Sequence, residues 1–165
     1  NDNYDHIYQY VLSGANSSMG YSETSAYMAN VFEKKTENEV LEAASFYTLG
    51  ANSKYTIFYI DDYRDIDNLS DKIEITSGIL QYEGYHTISF DGIPLDKGNR
   101  FAIVVYLDTE DHKFPLPINV ADDLNKKQVA HAGESFISYD GIRWNDLTDD
   151  TPTGNVSIKG FTSNK

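Results

Sequence analysis

The stretch Phe101-Ala-Ile-Val-Val-Tyr-Leu107 decides the fold class of this chain. Successive side chains of a β-strand point to opposite sides. The stretch therefore divides into two faces, one with Phe101, Ile103, Val105 and Leu107 and the other with Ala102, Val104 and Tyr106. Because runs rich in β-branched and aromatic residues are typical of strands, we predict a strand over residues 101–107.

Further segments have the same strand-like character. They cover residues 26–33, 40–49, 55–60, 85–90, 134–139 and 156–161. Residues 38–44 could compete as a helix, but the β-rich residues 45–48 that follow favour a strand. For residues 1–25 we expect an ordered but irregular approach to the first strand.

Turn-forming residues separate these segments, as in Asn52-Ser53, Gly78, Glu83-Gly84, Asp91-Gly92, Lys97-Gly98-Asn99 and Asp140-Gly141. Asp140-Gly141 predicts a tight hairpin between residues 134–139 and 142–144. Many short strands at regular spacing, without a repeat of 20–50 residues, predict an all-β fold. We expect a two-sheet antiparallel β-sandwich of the jelly-roll type, in a single domain over residues 1–165.

The composition excludes several classes of function. The chain has 165 residues, a net charge of −13 and no cysteine. An acidic surface repels nucleic acid and anionic membranes, so we expect neither nucleic-acid binding nor membrane insertion. The lack of cysteine removes disulfides, thiolate metal sites and thiol nucleophiles. Four dispersed histidines and the lack of a Gly-x-Ser-x-Gly elbow give no sign of a hydrolytic triad. We expect no catalytic activity.

One loop concentrates oxygen ligands. Asp61, Asp62, Asp65 and Asp67 lie within seven residues, after a predicted strand. Ca²⁺ takes about six to eight oxygen ligands, which such loops provide. The loop lacks the glycine and the closing glutamate of an EF-hand. We expect a structural Ca²⁺ site here, completed by backbone carbonyls; the alternative is a solvated acidic loop.

Aromatic residues near the turns are candidates for ligand binding. Tyr82, Tyr85, Tyr139 and Trp144 could line a groove in which sugar rings pack on aromatic faces. The alternative is that they are ordinary strand residues with an apolar body and a polar tip. For Trp144 a structural role is the other interpretation, because Ser138-Tyr-Asp140-Gly141-Ile-Arg-Trp144 is similar to an Asp-box hairpin, in which the tryptophan packs.

The order of the segments resembles a known family. The chain contains in turn Tyr4-Asp-His-Ile-Tyr-Gln-Tyr10, Leu41-Glu-Ala-Ala-Ser-Phe-Tyr-Thr48, Gly84-Tyr-His-Thr-Ile88, Ala132-Gly-Glu-Ser-Phe-Ile-Ser138 and Asn155-Val-Ser-Ile-Lys-Gly-Phe-Thr162. This order is similar to the lectin-like domain beside papain-like cysteine protease domains in surface proteins of anaerobic bacteria and archaea. The resemblance implies a sandwich of the carbohydrate-binding-module type, an extracellular or cell-wall location and, in some members, a bound calcium.

The resemblance also implies a role. Because the chain has no cysteine, the papain-type nucleophile would belong to another part of a longer secreted protein. We expect an accessory domain whose partners are the protease domain of the same parent chain and a cell-wall glycan or surface protein. The alternatives are a structural spacer that packs on the protease domain and a free-standing carbohydrate-binding module.

The expected calcium site has a direct test. An ion that binds only the folded chain stabilises it, so removing the ion lowers the melting temperature. We expect the melting temperature to fall in excess chelator and to recover with added Ca²⁺. An unchanged melting temperature in excess chelator would count against the site.

Overall fold

A computed structural model describes residues 4–124 and 126–165. The strands there are β1 (His6–Tyr8), β2 (Ser17–Met19), β3 (Ser25–Glu33), β4 (Glu39–Thr48), β5 (Ser53–Ile60), β6 (Ile73–Leu80), β7 (Gly84–Leu95), β8 (Arg100–Thr109), β9 (Leu116–Asn119), β10 (Ser135–Ser138), β11 (Asn145–Asp146), β12 (Asn155–Val156) and β13 (Lys159–Asn164). A 3₁₀ helix covers Ile66–Asp71, and a single α-helical turn, α1, covers Leu147–Asp150.

The strands form two main antiparallel sheets and one short ladder. The larger sheet has the order β11-β10-β3-β8-β5-β6, and the smaller one has the order β1-β13-β4-β7. The ladder has the order β12-β9-β2. Side chains of both main sheets share one core cluster, so the sheets pack face to face. The predicted all-β sandwich is confirmed.

The strand β8 is buried on both of its faces. Its odd-numbered apolar residues enter the main core between the sheets, where Phe101 and Leu107 are fully buried. Its even-numbered residues Ala102 and Val104 belong to a second cluster on the far side of the larger sheet. The hairpin with Trp144 and the 3₁₀ helix with Leu69 cover this second cluster. The predicted division of residues 101–107 into two faces is confirmed.

Two predicted turns differ from the structure. Gly78 lies inside β6, where a β-carbon would come within 2.8 Å of the Tyr55 hydroxyl on the neighbouring strand. Asp91-Gly92 lies inside β7, and a β-carbon on Gly92 would meet Val40 at 2.6 Å. These glycines therefore allow close packing between strands and do not end them. The predicted turns at these two positions are wrong.

Two other predictions also need correction. Residues 4–25 are not wholly irregular, because β1 pairs with β13 and β2 pairs with β9. The hairpin after β10 exists, but its second strand is β11, so residues 142–144 belong to the loop and the turn is wider than predicted.

A buried carboxylate ties β1, β4 and β13 together. Glu39 has no exposed surface, and its oxygens accept hydrogen bonds from the Tyr8 hydroxyl at 2.6 and 2.7 Å. The Thr162 hydroxyl donates a further bond at 2.5 Å, and the Thr36 amide donates one at 2.9 Å. Burial by itself raises the pKa of Glu39, but the bonds from Thr162, Tyr8 and Thr36 outweigh burial and hold the pKa below its ordinary value of 4.5.

This network predicts a pH-dependent stability difference. In Glu39→Gln the amide NH₂ group faces hydroxyl and amide donors, so we expect the free energy of unfolding at pH 7 to fall by about 2–3 kcal/mol. The stabilisation from Glu39 is full above its ordinary pKa and is lost as the pH falls through its lower folded-state pKa. The difference in the free energy of unfolding between the unchanged chain and Glu39→Gln should therefore become smaller at acidic pH.

The measurement is denaturant unfolding of both proteins at pH 7 and near pH 3. The matched control is Glu42→Gln on the same strand, because the Glu42 side chain accepts only the bond from Ser163 among those described. We expect less than about 1 kcal/mol for this control. A gap for Glu39→Gln of the same size at both pH values would contradict the prediction.

Candidate functional site

Exposed tyrosines gather at one end of the smaller sheet. Tyr85 on β7 pairs in register with Tyr47 on β4, and the ring centroids lie 5.0 Å apart. The Tyr85 hydroxyl donates a 2.7 Å hydrogen bond to Ser45 Oγ, and Lys159 Nζ lies 5.4 Å from the Tyr85 ring centroid. Tyr82 precedes β7 in the connecting turn. We call Tyr47, Tyr82, Tyr85 and Lys159 the tyrosine platform.

Tyr47 and Tyr85 of the platform lie on the outer side of the sandwich. Phe46 precedes Tyr47 on β4 and is buried in the core, and side chains alternate along a strand. Tyr47 and its cross-strand partner Tyr85 therefore point away from the core. Tyr85 is 44% exposed and Tyr82 is 76% exposed, so both present an aromatic surface to solvent.

Backbone contacts hold the turn that carries Tyr82. Its carbonyl oxygen lies 2.8 Å from His86 Nε2 and accepts a 3.3 Å hydrogen bond from the Thr48 hydroxyl. His86 Nε2 and the Thr48 hydroxyl also lie 3.2 Å apart. Gly84 has a φ of +122°, which side-chain-bearing residues rarely adopt. These hydrogen bonds and the conformation of Gly84 fix the turn, so the backbone of Tyr82 has a defined position.

Trp144 is not a stacking platform. It is only 8% exposed and packs on Tyr27, with ring centroids 6.3 Å apart. Its indole Nε1 donates a 3.2 Å hydrogen bond to the Gly141 carbonyl. The indole covers the second core cluster, so little of its surface is open to a ligand, and its packing agrees with the structural interpretation.

The hairpin around Trp144 is organised by Asp140. Its carboxylate accepts 2.9 Å hydrogen bonds from the amides of Ile142 and Arg143. These two amides, the larger contribution coming from Arg143, hold the pKa of Asp140 below its ordinary value. Gly141 has a φ of +77°, and a β-carbon there would lie 2.9 Å from the Tyr27 ring.

Tyr139 does not join the platform. It follows β10 of the larger sheet, whereas the platform belongs to the smaller sheet. It is 57% exposed, and its ring meets that of Tyr21 edge-on at 5.7 Å. Of the four predicted aromatic residues, Tyr82 and Tyr85 therefore lie at the start of β7, and Tyr139 and Trp144 lie at the hairpin after β10.

Three of the four aspartates of the acidic loop, Asp61, Asp62 and Asp65, have separate carboxylate partners. Asp61 pairs with Lys34 at 2.6 Å, in a nearly buried salt bridge, and also accepts bonds from the amides of residues 96 and 97. Asp62 pairs with Arg64 at 3.0 Å. Asp65 accepts a bond from the amide of Asp67 and caps the 3₁₀ helix.

Residues 4–124 and 126–165 contain no group of three or more His, Cys, Asp or Glu side chains placed to hold a metal ion. A site built from Asp61, Asp62, Asp65 and Asp67 together would require these partners to be exchanged for the ion. The calcium site stays a prediction.

The structure is an all-β sandwich of two antiparallel sheets with exposed tyrosines on its surface. Residues 7–162 match the family model of the lectin-like domain, and the chain belongs to that family. No curated protein matches the chain in a sequence search. The part of the chain that the structure describes contains no helix with the length and apolar character needed to cross a membrane.

Two solved structures share the fold. One is a variant of the clostridial cysteine protease Cwp84 after propeptide cleavage, with a TM-score of 0.84 and 22% identity over 97% of this chain and 40% of that chain. The other contains the cysteine protease and lectin-like domains of Cwp84, a surface layer associated protein of Clostridium difficile. Its TM-score is 0.73, with 23% identity over 86% of this chain and 33% of that chain. The chain thus spans less than half the length of either protein.

The buried position of Trp144 has a spectroscopic consequence. Trp144 is the only tryptophan of the chain, so its fluorescence reports on this hairpin alone. We expect acrylamide to quench the folded protein weakly and the urea-unfolded protein strongly, because the indole is shielded only in the fold. Equal quenching of the two states would show that the indole is open to solvent.

Proposed function

We propose that this chain is the non-catalytic accessory domain of a secreted or cell-surface papain-like cysteine protease, and that it holds the protease at the cell wall by binding wall glycan. The proposal rests on the family membership and on one observation, the exposed Tyr85 ring anchored through its hydroxyl to Ser45. The chain has no cysteine, so the papain-type reaction belongs to another domain of the parent protein.

The geometry suits a sugar because the platform is ordered before binding. Tyr85 is held at its backbone by β4 and at its hydroxyl by Ser45, so binding restricts few new torsions. Such preorganisation raises affinity by lowering the entropy lost on association. The apolar face of a pyranose ring packs on an exposed aromatic ring, and Lys159 Nζ offers donors to nearby hydroxyl or carboxylate groups.

The test is binding of the 165-residue chain to purified cell-wall glycan, measured by sedimentation of the insoluble wall. An aromatic contact contributes about 0.5–1.5 kcal/mol beyond its buried area, so we expect Tyr82→Ala and Tyr85→Ala each to weaken binding up to about tenfold. Tyr85→Phe keeps the ring but loses the bond to Ser45, and we expect a smaller loss.

Tyr139→Ala is the matched control, because Tyr139 is similarly exposed but belongs to the other sheet. It should bind the wall as the unchanged chain does. Loss of binding in Tyr139→Ala with none in Tyr82→Ala and Tyr85→Ala would contradict the assignment of the platform.

A second candidate function is that of a spacer that packs on the protease domain. The exposed side chains of Tyr139 (57%) and Ile142 (68%) in the hairpin after β10 favour it, because packing on a partner would remove this apolar surface from water. In a test with the protease and this domain produced separately, the double variant Tyr139→Ala/Ile142→Ala would weaken their association, and Tyr85→Ala would not.

A further inference from the structure

The sandwich is open along one side, where both main sheets end. β6 is the last strand of the larger sheet and β7 is the last strand of the smaller sheet. Three residues join them, and side chains from both strands line a cleft of about 640 Å³ between the sheet edges. Ile75 on β6 and Phe90 and Ile93 on β7 reach the core from this cleft but remain only partly buried.

Neither edge has a partner on its free side among the described residues. β7 pairs only with β4, and β6 pairs only with β5. No backbone hydrogen bond from a loop reaches residues 85–93 or 73–80 within residues 4–124 and 126–165. Alternate amides and carbonyls of an edge strand point outward and can pair with another extended chain.

The first part of the β7 edge, residues 85–89, has little protection against such pairing. Natural edges are blunted by charged residues, proline, short length or β-bulges. Residues 85–93 contain one charged side chain, Asp91, and the first proline is Pro94 near the end of the strand. The pairing of β7 with β4 is regular up to Ser89 and shifts its register between Ser89 and Ile93. The edge therefore offers residues 85–89 for regular pairing, and Pro94, which has no amide hydrogen, limits it at one end.

The charges around the cleft select the partner. Its lining includes two charged side chains, Glu74 on β6 and Asp91 on β7, and both are acidic. No lysine or arginine lines it. The chain as a whole carries a net charge of −13, so a second copy of itself would be repelled. A basic chain would be attracted to this edge and to the protein around it.

We propose that β7 is a docking edge for an extended basic segment of a partner protein, which adds as a fifth strand to the smaller sheet. Its alternate apolar side chains enter the cleft beside Phe90 and Ile75 and complete the core there. Its intervening lysine or arginine side chains lie near Asp91 and Glu74, the two acidic residues of the cleft. This is strand addition, in which main-chain hydrogen bonds supply affinity and alternate pockets supply specificity.

The probe is a fluorescein-labelled peptide, Lys-Val-Thr-Val-Lys-Val-Thr-Val-Lys, with its binding to the 165-residue chain followed by anisotropy. We expect saturable binding that weakens as salt is raised. Two further peptides carry N-methyl groups, one at the valines and one at the threonines and the central lysine. Only one of these sets of amides faces β7, so one methylated peptide should lose binding at least tenfold and the other should keep it.

The protein variant is Glu74→Lys/Asp91→Lys, which should also weaken binding at least tenfold. Its control is Glu23→Lys/Glu37→Lys, which makes the same change of net charge at exposed residues away from the cleft. Melting curves establish that both variants are folded. Sedimentation of the chain alone reports whether a second copy occupies the edge.

Three results would overturn the proposal. The first is equal binding, or equal loss of binding, by the two methylated peptides, because strand addition uses one set of amides. The second is the same loss in the two charge variants, which shows attraction by net charge alone. The third is a dimer that dissociates when the peptide binds, which assigns the edge to a second copy of the chain.

Discussion

The strand β8 is buried on both of its faces, and the rest of the structure depends on this constraint. Its odd-numbered residues need the smaller sheet as a cover, and Ala102 and Val104 need a second cover on the far side. The hairpin with Trp144 and the 3₁₀ helix provide it. The outer face of the smaller sheet carries the exposed Tyr85, and the side between β6 and β7 remains open.

The strands with unbroken apolar or alternating runs could be predicted from the sequence, because their side-chain pattern records burial directly. β6 could not, because Gly78 suggests a turn until the Tyr55 side chain on the neighbouring strand is known. β9 contains Pro117, which argues against a strand, and its four residues pair only in the short ladder. Such elements depend on partners that are distant in the sequence.

The candidate site was predictable only in part. Tyr82 and Tyr85 stand beside a turn, and exposure follows from that position. Ser45 and Lys159 carry no signal of their own, because only the register of β4 with β7 and β13 brings them to Tyr85. The aspartates of the acidic loop show the opposite case, because they are close in the sequence but their carboxylates have different partners. Asp61 forms a salt bridge with Lys34, and Asp65 caps the 3₁₀ helix.

We propose that this domain anchors a protease without taking part in its reaction. The most direct measurement follows the full-length parent protein with Tyr82→Ala/Tyr85→Ala, comparing its distribution between cell wall and medium with its cleavage of a soluble peptide. We predict that the variant moves from the wall to the medium and cleaves the peptide at an unchanged rate. Wall attachment that persists in the folded variant would contradict the account.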